Sequence, residues 1–169
     1  MKLDLTKLKV LPLSERRSLS QIENILVQPE ATSPRCAEPV LKTISQCAKR
    51  IVAARRRDAS VMLLYGAHLL RNGAGLILER MMAQGWITHL ATNGAGTIHD
   101  WEYAFLGRST ENVEQNVAAG TFGTWAETGR NIHLALHAGA LNDEGYGEAL
   151  GRFIMEDGAA LPGVESLED

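Results

Sequence analysis

Cysteine, aromatic residues and long apolar runs are all scarce in this 169-residue chain, and each scarcity excludes something. The two cysteines, Cys36 and Cys47, fall on what reads as one helix. At about 1.5 Å rise per residue they stand roughly 16 Å apart, beyond the reach of a disulfide. No CxxC or Cys/His zinc spacing occurs, so both are expected to be ordinary packed or partly exposed thiols. Aromatic residues make up 5% of the chain, and none interleaves with Arg55-Arg56-Arg57, which argues against a nucleic-acid surface. No run approaches the roughly 18 apolar residues that a membrane span needs. No basic stretch followed by an apolar one opens the chain, so the expected location is the cytoplasm. Lysine is also missing from a long segment: Lys49 is the last one.

What is present describes a chain able to bury a core, with 45% apolar and 22% charged residues and a mean hydropathy of -0.10. The formal net charge of -3 conceals a division. Residues 1–57 carry twelve Lys/Arg against five Asp/Glu, whereas residues 58–169 carry five against fifteen. Placed at a helix end, the arginine run complements the dipole. Opposite charges in the two halves also suit a contact between subunits, which charge alone does not establish.

Residues 1–35, with Pro12, Pro29 and Pro34, read as an arm lying over the rest. Residues 36–157 read as one domain and 158–169 as a tail. Val40, Leu41, Ile44, Ala48, Ile51 and Val52 recur at helical spacing. The run Val61 to Tyr65 then reads as a parallel strand buried on both faces. A helix is expected through Leu69, Leu70, Ile77, Leu78, Met81 and Met82, stopped at Gly85, before a second strand over Trp86 to Ala91. Four further helices are expected over 97–106, 109–119, 124–137 and 145–156. The fold class is therefore α/β, a parallel sheet flanked by helices, but incomplete. Two parallel strands leave edges exposed, so runs such as Lys7 to Leu13, a partner chain or further sequence are expected to complete the sheet.

Chemistry is expected where the two strands end. Thr92-Asn93-Gly94-Ala95-Gly96 lies between a strand and a helix, where glycines admit a ligand to the backbone and the helix start suits phosphate. Its GxG spacing lacks the third glycine of the dinucleotide fingerprint, and a plain strand-to-helix turn accounts for it equally well. Gly66-Ala67-His68 leaves the other strand at the same end of the sheet, so the two loops converge on one crevice. His99, Asp100 and Glu102 follow in the first turns of the next helix. There a histidine can act as acid or base, and carboxylates can hold a hydroxyl or amine or simply stabilise the helix start. His133 and His137 have an i, i+4 spacing that suits a metal but no evident third ligand, while Met81, Met82 and Trp125 read as core or interface.

At these two loops the sequence resembles the deoxyhypusine synthase family, most closely its bacterial branch. The resemblance rests on Asn93-Gly94-Ala95-Gly96, Ile98-His99-Asp100, Phe122-Gly123 and Glu127-Thr128-Gly129-Arg130, with Gly66-Ala67-His68-Leu69 matching a second cofactor loop. It implies a Rossmann-like fold, a homotetramer with NAD near subunit interfaces, and aminobutyl transfer from spermidine to a protein lysine. Gly66, Ala67, His68, Thr92, Asn93, Gly94, Ala95 and Gly96 would then hold NAD, and His99 and Asp100 would lie near a polyamine-type substrate. In the family, NAD oxidises spermidine and the fragment passes through an imine on an enzyme lysine; here no lysine follows Lys49. His99, Ile98 and His68 also replace the family's two glutamates and an asparagine. A homospermidine synthase-like transferase and a non-catalytic nucleotide-binding or assembly subunit are the alternative expectations.

Overall fold

A computed structural model describes residues 4–159. The chain mixes helix and strand and divides into two compact units. One comprises the described parts of Met1–Ile22 and Thr97–Asp169, and the other is Glu23–Gly96.

The second unit holds a parallel pair, β2 (Met62–Leu64) and β3 (His89–Ala91), in the register Met62 to His89, Leu63 to Leu90 and Leu64 to Ala91. Residues Trp86 to Thr88, expected in the strand, precede it: Trp86 N–H bonds Met81 O, and Ile87 is buried in the core. That core joins Leu70, Leu78 and Ile87 to Leu63, Tyr65, Leu69 and Met81. The expected burial of β2 on both faces is not met. Leu63 points into the core, whereas its neighbours Met62 and Leu64 are 57% and 70% exposed, because no described element covers their face of the pleat.

The helix expected from Leu69 to Met82 is two, α3 (Ala67–Arg71) and α4 (Gly75–Ala83). Gly73 causes the break. Its φ is +78°, its carbonyl accepts from Val27 N–H at 3.0 Å, and a Cβ there would lie 1.9 Å from the Ile25 carbonyl oxygen. Only glycine permits this approach and this conformation together. Ahead of the sheet, α2 (Glu38–Arg56) has Pro39 in its first turn and no buried residue. Cys36 lies before α2 and not on it, and both cysteines are free and exposed.

The first unit is built on α5 (Gly94–Leu106, counted here from Thr97), α7 (Ala126–Leu141) and α8 (Tyr146–Met155), with α6 (Val113–Ala118) beside them. Asn112 caps α6, its Oδ1 accepting from Gln115 N–H at 2.9 Å; this cap places the start four residues later than expected. Trp101, Trp125, Ile132, Ala135 and Leu150 form the core, completed by Leu13 from the N-terminal segment at 0% exposure. The run expected to add a strand instead makes a single parallel bridge, Leu11 to Trp125, and then a 3-10 turn at Leu13–Glu15. Strand β1 (Ser20–Gln21), which runs into the short α1 (Ile22–Ile25), pairs antiparallel with β4 (Arg108–Ser109), which the sequence did not announce. Among described residues, neither sheet exceeds two strands. The expected tail falls mostly outside the described residues.

Candidate functional site

In the second unit, the loops leaving β2 and β3 adjoin. Leu64, Tyr65 and Gly66 from the first and Ala91, Thr92 and Asn93 from the second line one open depression of about 360 Å³. Tyr65 N–H donates to Ala91 O at 2.9 Å, extending the strand pairing to the rim. Gly66 is extended and precedes α3, placing Ala67 and His68 in the first turn of that helix. A Cβ on Gly66 would meet only Asn93 Nδ2, at 4.0 Å, so a side chain has room there.

The second expected loop is shorter than its sequence implied. Gly94, Ala95 and Gly96 are already helical, forming the first turn of α5, and neither glycine has a positive φ. Asn93 accounts for the early start, since its Oδ1 accepts from Gly96 N–H at 3.1 Å in the manner of an N-cap. Gly96 has a packing reason of its own: a Cβ there would stand 2.2 Å from Thr92 Oγ1. The glycine spacing thus serves a capped helix start. One amide of that turn is spent on Asn93, and the turn stands at the rim of the depression.

His99 and Asp100 belong to the first unit, and His99 joins a hydrogen-bonded chain there. Glu102, 1% exposed, accepts from both arms of the Arg16 guanidinium at 2.7 and 2.8 Å and from Thr128 Oγ1 at 2.9 Å. Ser109 Oγ–H donates to Glu102 Oε2 at 2.5 Å, and the serine Oγ lies 2.7 Å from His99 Nδ1. An ionised carboxylate only accepts, so the serine proton points to Glu102 and His99 Nδ1–H donates to the serine. Arg16 also bonds Ser18 Oγ and lies over the Trp125 ring, 5.7 Å from its centroid. Next to this chain Ser20 Oγ reaches Tyr103 OH at 2.8 Å and Thr110 Oγ1 at 3.0 Å. Asp100 is exposed, and partial desolvation pushes its carboxyl pKa upward.

Sequence reasoning pointed to His99 and its helical neighbour Glu102, which lie at i and i+3 on one face. It missed Arg16 and Ser109, which reach the same cluster from distant positions without a motif of their own, and it gave Thr128, within the Glu127-Thr128-Gly129-Arg130 phrase, no role at the cluster. Of the two histidines at i, i+4 spacing, His133 directs Nδ1 to Gly129 O at 2.6 Å. No group of three or more His, Cys, Asp or Glu side chains suited to a metal occurs among the described residues. No helix among them is long and apolar enough to cross a membrane. No family model matches the sequence, and neither curated proteins nor solved structures provide a match.

Proposed function

We propose that this chain is a Rossmann-like, NAD-binding protein related to the deoxyhypusine synthases, receiving the cofactor where β2 and β3 end. One observation supports this reading above the others: Gly66 and Asn93, from the two expected cofactor loops, stand side by side on a single depression. Ligands of parallel α/β sheets bind beyond the carboxyl ends of the strands, and a volume of about 360 Å³ falls within the range of small-molecule sites. Gly66 leaves the rim open to a phosphate or ribose, and Thr92 and Asn93 offer a hydroxyl and an amide to its oxygens. NAD, when bound, supplies the hydride acceptor for oxidising an amine. In this reading a polyamine is the substrate and a homo-oligomer the working form.

The described lysines do not fit the family's covalent step. An imine-forming lysine needs a sheltered amine, and Lys7, Lys9, Lys42 and Lys49 all stand exposed. That favours a second reading, in which the chain binds the nucleotide without transferring the aminobutyl group. Incubation with NAD and spermidine separates the two. Formation of NADH together with diaminopropane supports a transferase or a partial reaction. Cofactor binding without either product supports the non-catalytic reading.

A further inference from the structure

We infer that the exposed apolar stripe of α2 is a self-association surface, and that its occupant is the acidic part of a second copy of this chain. Every residue from 31 to 50 is exposed, including the first thirteen positions of α2, about 20 Å of helix. At 3.6 residues per turn, Val40, Leu41, Ile44, Ala48, Ile51 and Val52 fall within an arc of about 120°, the width of a face that packs against protein. Partial cover begins only at Ile51. There Arg55 secures the helix end, donating to Gly85 O at 2.7 Å and Ala59 O at 2.8 Å. Val40, Leu41 and Ile44, 44–54% exposed, continue the same stripe, and no described element covers them. A 19-residue helix of this pattern draws its stability mainly from packing its apolar face.

Charge selects the occupant. Arg56 and Lys49 flank one edge of the stripe and Lys42 and Arg50 lie on the opposite face, so the helix around it is basic against a single acid, Glu38. Pairing one α2 with another therefore sets like charges together. Residues 97–159 carry ten Asp/Glu against three Lys/Arg. They also expose apolar side chains at helical spacing beside acids, with Val113 and Val117 of α6 flanking Glu114. A basic apolar stripe and an acidic apolar surface in the same chain are complementary between copies. An anionic membrane is the weaker fit: the stripe contains no Trp or Phe, and its residues are short and mostly branched.

The test is sedimentation of the full chain at about 50 µM in about 0.1 M and about 1 M salt, where the screening length falls from roughly 10 to 3 Å. It is run beside Ile44→Glu and Lys49→Glu, with circular dichroism to verify that both variants keep their helix content. The expected result is a wild type of two or more chains that dissociates at high salt. Ile44→Glu should be a single chain, and Lys49→Glu should be weakened at low salt. A wild type that is a single chain at both salts overturns the inference, as does an assembly indifferent to both substitutions. Binding of a single-chain wild type to phosphatidylserine vesicles, lost in Ile44→Glu, overturns it in favour of a membrane.

Discussion

Arg16 and Glu102 form a buried two-pronged ion pair, 2.7 and 2.8 Å long, that ties the N-terminal segment to the middle of α5. Both ions have left water, so the pair is sustained by its geometry and by the further bonds from Thr128 and Ser109. Removing one partner leaves the other charge buried alone. Arg16→Ala and Glu102→Gln are each expected to lower stability by about 3–5 kcal/mol in denaturant titration. The double replacement Arg16→Met with Glu102→Leu should recover much of that loss, because an apolar pair of similar volume carries no desolvation cost.

The His99 tautomer follows from the same cluster. With Ser109 donating to Glu102, His99 bonds through Nδ1–H, the tautomer opposite to the one favoured in water. Nitrogen-15 NMR of the neutral imidazole should report protonated Nδ1, and Ser109→Ala should shift the population toward Nε2–H. An unchanged tautomer in Ser109→Ala would mean that the serine does not set it.

Acid stability should depend on Glu127. Its Oε2 accepts from Leu13 N–H at 2.6 Å, and that bond lowers the carboxyl pKa below the ordinary 4.5. The ionised form is thus favoured by folding. The contribution is complete above pH 4.5 and is lost as pH falls through the lowered folded-state value. Glu127→Gln should reduce stability at neutral pH and flatten the decline between those two values, measured as denaturation midpoint against pH.

Gly73→Ala should destabilise the chain by about 2 kcal/mol or more, since it combines strain at positive φ with a clash against the Ile25 carbonyl. Gly94→Ala, where a Cβ meets nothing within 4 Å, should be tolerated. Thermal melts of the pair separate a glycine required by packing from one that is not.

Local pattern carried much of this architecture. The apolar periodicity of α7 and α8 and the short apolar runs at β2 and β3 are legible because each depends on its own residues. What eluded sequence reasoning depends on distant contacts. Gly73 divides a regular apolar pattern because Ile25, far back in the chain, lies against it. Strand β4 exists because Ser20 and Gln21 pair with it, and Arg108-Ser109 carries no strand signature of its own. The candidate loops were visible as glycines next to strands, but their helical first turn follows from the Asn93 cap and the closeness of Thr92 to Gly96. Arg16 read as one charge among many in a basic segment, because burial and partnership are properties of the folded chain.

Calorimetric titration of NAD into the folded wild type and Gly66→Leu is the most direct test of a cofactor site at the β2 and β3 ends. A Cβ at Gly66 meets Asn93 Nδ2 only at 4.0 Å and the backbone there is extended, so this variant places its bulk at the depression. Saturable binding to the wild type is expected with Kd at or below about 1 mM, weakened at least tenfold in Gly66→Leu, or about 1.4 kcal/mol. No binding by the folded wild type, or equal binding by both proteins, would contradict that site.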